Sequence, residues 1–295
     1  MSSPIILNGK KLADEICNKL KDRVKALDEK PKLTIITSGT DNAGKIYVRN
    51  KKRRCEEIGI ECIEKHFESL DYYTASVIIS TTNNPIIFQS PIVGYDVKQI
   101  TNIIGIIKPD LDVDGFVSPI NAAKLYQFSP FDYPVPCTPM GIMYLLDAYK
   151  IPVDRKTVCI IGRSNIVGRP LLHLMEQHGA TPILCHTHTP KDKLCRLAYN
   201  SDIIVSATGV RNIIEIEDIH YSNFEDKILI DVGMNRDENG KLCGDFNPEA
   251  FKYCKAYTPV PGGVGPMTVA MLMKNVVDFY ENKYYKYKQY GGKTC

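Results

Sequence analysis

The sequence has 295 residues, 44% of them hydrophobic and 24% charged, a composition that packs a core and excludes a disordered chain. That length predicts about two domains. The net charge of +3 is too balanced for a dedicated nucleic-acid binder, and no apolar stretch reaches the length of a signal peptide or membrane span, so a cytoplasmic protein without nucleic-acid or membrane partners is expected.

In chain order, residues 10–27 place Leu12, Ala13, Ile16, Leu20, Val24 and Leu27 on one helical stripe. LTIIT (33–37) reads as a buried strand, 44–58 as a helix stopped by Gly59, and PIIFQ (85–89) as a second buried strand. The proline-rich SPFDYPVPCTPMG (129–141) is the candidate hinge. Beyond it, apolar strands at 157–161, 181–185, 202–206 and 227–232 are separated by helix-length segments. This alternation predicts an α/β fold with a Rossmann-like parallel sheet covered on both faces. A last helix from Thr268 carries Val269, Leu272, Met273, Val276 and Tyr280 on one stripe, and the Lys- and Tyr-rich tail reads as a solvated terminus. The ten cysteines form no C-x-x-C pair and several sit inside apolar runs, which points to reduced, buried thiols.

TVCIIGRSNIVGRP (157–170) is a strand, a tight turn and a helix start, with the spacing Gly162-x-Ser164-x-x-x-Gly168. Gly162 permits the sharp turn, and the helix N-terminus offers N–H groups to a pyrophosphate. A site for NAD normally carries an acid at the end of the second strand, to hold the ribose hydroxyls. Here TPILC (181–185) runs into His186, Thr187, His188 and Thr189, with no acid before Asp192. Arg163 and Thr187, with His188 or Lys191, are available to a 2′-phosphate, which favours NADP. His186-x-His188 lacks an evident third ligand, so no metal is expected.

Tyr47 and Lys51 are spaced i to i+4, on one face of the helix at 44–58, within KIYVRNKKRR (45–54), which holds six basic residues and no acids. Such a run suits an anionic substrate. Taken together, YVRNKKRRCEEIGI (47–60), DVDGF (112–116), PCTPMG (136–141), GRSNIVGRP (162–170), SATG (206–209), DVGMN (231–235) and PVPGGVGPMTVAMLMKN (259–275) resemble the bifunctional methylenetetrahydrofolate dehydrogenase/cyclohydrolase family, in the family's order and across nearly the whole chain.

The resemblance implies a folate-binding catalytic domain over 1–135, completed by the C-terminal helix 268–288, and an NADP domain over 136–267, with the folate cleft between them. It implies that Lys51 is the central catalytic residue, that Tyr47 lies against the folate rings, that Gln89 hydrogen-bonds near Lys51, and that Asp114 holds the pterin nitrogens. A neutral lysine amine can relay protons, and an aspartate can accept from two adjacent donors. Pro261, Gly262 and Gly263 would also meet the substrate. Gly162, Arg163, Ser164, Ile166, Gly168, Thr187, Thr208 and Gly209 would meet the cofactor. The implied partners are tetrahydrofolate derivatives, polyglutamylated ones among them, and a second copy of the chain in a homodimer through the nucleotide domain. The implied chemistry is NADP-dependent oxidation of 5,10-methylenetetrahydrofolate, then hydrolysis of the methenyl product to 10-formyltetrahydrofolate. A dehydrogenase without useful cyclohydrolase activity, and a folate- or nucleotide-binding protein that has lost turnover, are the alternatives. The chain departs from the family pattern at Gly44, at Ser90-Pro91-Ile92-Val93 and at Ala123, all in the folate-facing half.

Overall fold

The computed structural model of the protein describes residues 3–39, 42–89, 95–115, 134–214 and 224–290. Its elements are β1 (Ile5–Ile6), α1 (Gly9–Lys25), β2 (Lys32–Ser38), α2 (Asn42–Ile58), β3 (Glu61–Phe67), α3 (Tyr72–Thr81), β4 (Ile86–Phe88), α4 (Val97–Ile104), α5 (Cys137–Ala148), β5 (Thr157–Ile161), α6 (Gly168–Gln177), β6 (Thr181–Cys185), α7 (Lys191–Tyr199), β7 (Ile203–Ser206), β8 (Ile228–Asp231), a hairpin of β9 (Asn235–Arg236) and β10 (Leu242–Cys243), β11 (Ala256–Tyr257) and α8 (Val264–Tyr290). They fall into two units, one from Met1–Ala13 and Thr138–Thr268, the other from Asp14–Cys137 and Val269–Cys295.

The second unit holds a parallel sheet in the order β3-β2-β4. Central β2 is buried almost throughout, which is why LTIIT is a continuous apolar run. Edge strand β3, ECIEKHF, is only half-buried and carries three charged residues, so no apolar run announces it in the sequence. One face of the sheet packs Ile36, Ile86 and Phe88 against Ile78 and Ile79 of α3 and Ile103 of α4. Helix α2 buries the stripe Val48, Lys51, Cys55 and Ile58, in which Lys51 is the one charged member. It ends at Gly59, whose φ of +92° lets its N–H reach the Cys55 carbonyl at 3.0 Å. The later turns of α8 belong to this unit. Asp278 and Glu281 pair with Arg23, and the Tyr280 hydroxyl accepts from the Lys32 N–H at 3.0 Å.

The first unit holds six parallel strands in the order β1-β11-β8-β7-β5-β6. The interior strands β7 and β8 are buried at every position and β5 at all but its first, so the sequence shows them plainly. The two-residue strands β1 and β11 are too short for periodicity to reveal, yet β1 brings the N-terminal residues into this sheet by pairing Ile5 with Ala256. The two units divide at Cys137/Thr138, inside the proline-rich stretch 129–141, whose described end is already helical because α5 starts at Cys137. Pro139 fits there, since the first turn of a helix has no use for its N–H. The last helix starts at Val264 rather than Thr268, with Pro266 in its first turn for the same reason.

The nine described cysteines are all free, and six are buried, Cys159 and Cys185 with their sulfurs 3.9 Å apart. Among the described residues no helix is long and apolar enough to cross a membrane.

Candidate functional site

In the three-stranded unit, Lys51 lies 8% exposed in the middle of α2, and its Nζ is 3.8 Å from an Asp114 oxygen, itself on a residue 6% exposed. Two charges withdrawn from water this far persist only with a partner. Tyr47, one turn earlier, is half-buried, and burial raises its phenol above the ordinary range. Gln89 follows β4, its N–H bonded to the Ile36 carbonyl at 2.9 Å.

The turn that presents Asp114 is held from three sides. Asp112 accepts from the Gly115 N–H through both its carbonyl and Oδ1, each at 3.1 Å. Gly115 has φ +72°, and a Cβ there would lie 2.5 Å from the Pro136 nitrogen, so no other residue fits. Asn275 of α8 donates to the carbonyls of Val113 at 2.9 Å and Val135 at 3.0 Å. Cys137 beside this turn is fully buried, and burial with the nearby Asp114 charge pushes its thiol well above the usual range.

The basic run of α2 does not act as one field. Arg49 is two residues, about 200°, from Lys51 and so faces the other side of the helix. Lys45, Arg49 and Lys52 line a cavity of about 560 Å³ beside α2 with Val48, Ser38, His66 and Gln89. Lys52 is paired with Glu64 at 2.7 Å and Arg53 with Glu57 at 3.6 Å. The buried Ser38 hydroxyl finds no hydrogen-bond partner among the described residues.

In the six-stranded unit the carboxyl ends of parallel strands lie along one edge of the sheet, where open α/β sheets take their ligands. Gly162 leaves β5 with φ +117°, and a Cβ there would stand 2.5 Å from the Ala207 carbonyl oxygen. A Cβ on Gly168 would stand 1.8 Å from the Gly162 oxygen, so the first turn of α6 sits directly on the strand end. Arg163, Ser164 and Ile166 are exposed on this turn, and Ser164 Oγ accepts from the Val167 N–H at 3.1 Å. Beyond β6, Thr187 and His188 are exposed. The His186 imidazole titrates below its usual range through partial desolvation and then the Arg163 charge. Lys191 donates to the Ile213 carbonyl at 2.8 Å. Ile166, Val210 and Met234, after β5, β7 and β8, are exposed apolar side chains on the same edge, a surface that a flat organic ligand would cover.

Two buried carboxylates stand behind this edge. Asp231 accepts from the N–H groups of Gly233, Asp245 and Phe246. Burial still pushes it up to about 6, against those bonds and with the Asp245 charge adding to the rise. Asp245 accepts from Ser206, Thr208, Gly209 and Asn235. Gly262, with φ +112°, follows Pro261, and its carbonyl accepts from the Lys10 N–H at 2.9 Å. Among the described residues no three His, Cys, Asp or Glu side chains are grouped to hold a metal ion.

Residues 136–284 match the tetrahydrofolate dehydrogenase/cyclohydrolase NAD(P)-binding domain, and residues 7–114 match the catalytic domain of the same enzymes. The chain belongs to the tetrahydrofolate dehydrogenase/cyclohydrolase family. It is 39% identical to a protein of Hydrogenobaculum named bifunctional protein FolD, over 94% of this chain and 99% of that one. A crystal structure of the bifunctional enzyme FolD, methylenetetrahydrofolate dehydrogenase/cyclohydrolase, from Campylobacter jejuni superposes with a TM-score of 0.88 at 35% identity, over 95% of this chain and all of the other. The Trypanosoma brucei enzyme, solved with NADP cofactor and an inhibitor, superposes with a TM-score of 0.88 at 27% identity, over 96% of this chain and 99% of that one.

Of the sequence-derived candidates, the structure brings Lys51 and Asp114 together on one side of α2, and groups Gly162, Arg163, Ser164, Ile166, Gly168, Thr208 and Gly209 at the strand ends of the other unit. The altered 90–93 loop and Ala123 lie outside the described residues, and Gly44 lies in the first turns of α2. Sequence reasoning missed Asp245, Asp231 and Asn275. A signal existed for each: an acid between Gly244 and Phe246, an acid closing an apolar strand, and an amide breaking the apolar stripe of α8.

Proposed function

We propose that this chain oxidises 5,10-methylenetetrahydrofolate to 5,10-methenyltetrahydrofolate with NADP and hydrolyses that product to 10-formyltetrahydrofolate. The buried pair of Lys51 and Asp114 beside Tyr47, in the part of the chain that matches the family's catalytic domain, carries the reading. The glycine-only turn at Gly162 and Gly168 fits a dinucleotide. In this reading the first turn of α6 and Ser164 receive the pyrophosphate, and Arg163 with Thr187 receives the 2′-phosphate. Ile166, Thr208 and Gly209 wall the cofactor. When bound, NADP supplies the hydride acceptor.

Asp114 accepts from the pterin donors, Tyr47 lies against the ring system, and Gln89 orients the Lys51 amine. In the hydrolysis, water adds to the methenyl carbon and loses its first proton, which leaves to solvent. The bond from that carbon to N5 then breaks as the remaining hydroxyl proton passes to N5, so the carbon stays on N10 as a formyl group with a C=O bond. Lys51 carries these protons, taking one from oxygen and delivering one to N5. Pro261, Gly262 and Gly263 contact the substrate in the same reading. It also carries a cytoplasmic homodimer formed through the six-stranded unit, where edge strand β6 leaves Ile183 and Leu184 half-exposed. Sedimentation at the mass of a single chain would contradict the dimer.

The cavity beside α2, with the cations of Lys45 and Arg49, is assigned to the carboxylates of the folate's glutamate tail. One experiment tests reaction and tail together: methenyltetrahydrofolates with one and with several glutamates, supplied without NADP at low and at high salt. Enzyme-dependent hydrolysis is expected, with a KM that falls as the tail lengthens, more so at low salt where screening is weak. No hydrolysis above buffer removes the cyclohydrolase half. Hydrolysis with a KM indifferent to tail length leaves the reaction standing and takes the tail out of the cavity.

A further inference from the structure

The carboxylate of Asp245 is fully buried, forms no ion pair with any described lysine or arginine, and is surrounded instead by donors. Its Oδ2 accepts from Ser206 Oγ at 2.7 Å, the Thr208 N–H at 2.8 Å, Thr208 Oγ1 at 2.9 Å and the Gly209 N–H at 3.3 Å. Its Oδ1 accepts from the Asn235 amide at 2.8 Å. An isolated buried charge is costly, so a carboxylate persists in such a place only where oriented N–H and O–H dipoles replace its water.

Those dipoles belong to two segments on the ligand-facing edge. Ser206–Gly209 leaves β7 and abuts the dinucleotide turn: the Ala207 oxygen is the atom that forbids a Cβ on Gly162, and the Ala207 N–H is bonded to the Ile161 carbonyl at 2.9 Å. Asn235 follows β8, and a Cβ on Gly233 would stand 1.8 Å from Asp245 Oδ1, so the glycine of DVGMN is dictated by this carboxylate. Asp245 is fixed in turn by Asp231, which accepts from its backbone N–H at 2.9 Å. The chain of contacts runs from Asp231 through Asp245 to the loop that closes over the Gly162 turn.

We propose that Asp245 is a positioning residue for the dinucleotide: its buried carboxylate holds the Ser206–Gly209 loop in the shape that receives the cofactor, without touching it. This rests on the reading of the Gly162 turn as the cofactor site. It requires that loss of the carboxylate weaken NADP binding and spare a reaction that needs no NADP.

The test measures NADP affinity directly, by calorimetry, beside the rate of methenyltetrahydrofolate hydrolysis without cofactor. The variants are Asp245→Asn and Ser206→Ala, the second removing one donor from the cluster while leaving the carboxylate in place. For Asp245→Asn, whose amide meets donors with a donor, NADP binding should weaken about 10- to 100-fold, the worth of one or two charge-assisted hydrogen bonds. Ser206→Ala should weaken it in the same direction by less. Hydrolysis should stay within about threefold of the wild type, far from the loss expected when a proton-transfer group is removed. NADP affinity unchanged in both variants overturns the proposal, and so does a parallel fall of affinity and hydrolysis in Ser206→Ala, which would mark the cluster as a general support of the fold. A wild-type chain that binds neither NADP nor NAD is a different outcome, because it overturns the cofactor reading itself.

Discussion

Lys51→Met is expected to abolish hydrolysis of methenyltetrahydrofolate while NADP and folate still bind. Methionine keeps most of the length and the apolar stem of lysine but has no amine to take a proton from the attacking water or to return one to the departing nitrogen. Removing such a group typically costs about 10²–10⁴-fold in rate. The oxidation should fall less, since hydride transfer needs the two reactants held in place and no side-chain base. The burial of Lys51 next to Asp114 adds a second effect. Removing one partner of a buried pair leaves an uncompensated charge, at a cost of about 3–5 kcal/mol. The variant will be less stable, so its fold must be checked by circular dichroism before rates are compared. Lys51→Met/Asp114→Asn, which removes both charges, should recover stability and no hydrolysis. Hydrolysis within a few-fold of wild type in folded Lys51→Met protein would show that another group moves the protons.

The second large effect concerns the cofactor. NADP should be preferred to NAD, because β6 runs into His186, Thr187 and His188 with no acid to hold ribose hydroxyls, while Arg163 is exposed on the turn after neighbouring β5 and its charge is felt at His186. Arg163→Ala should cost NADP about 1.5–3 kcal/mol, the worth of one charge-assisted contact, and leave NAD nearly unaffected. The ratio of kcat/KM for the two cofactors measures this. A wild-type ratio that is equal or favours NAD contradicts the assignment, as does an Arg163→Ala protein that loses both cofactors alike.

What could be read from the sequence follows from what each signal depends on. Strands β5, β7 and β8 are buried on both faces, so their apolar runs stand out, and Gly59, Gly162 and Gly168 stand where only glycine fits the backbone. Edge strand β3 is charged on its open side, and β1 and β11 are two residues long, so neither offers a pattern. The spacing of Tyr47 and Lys51 puts them on one face of α2 but says nothing of Asp114, which reaches Lys51 only through the fold. Arg49, about 200° from Lys51 around α2, points away from it, so the basic run divides around the helix, a division hidden when the charges are simply counted. Asp245 was the least legible, because its partners lie 10 to 39 residues away and its worth is in where they converge.

The central claim, that one chain performs both steps, is tested most directly by a product balance. Methylenetetrahydrofolate and NADP are incubated with the enzyme, and NADPH, methenyltetrahydrofolate and 10-formyltetrahydrofolate are measured over time. NADPH and 10-formyltetrahydrofolate are expected to rise together in equal amounts, faster than methenyltetrahydrofolate hydrolyses in buffer. NADPH matched by accumulating methenyltetrahydrofolate, with 10-formyltetrahydrofolate appearing only at the buffer rate, would contradict it.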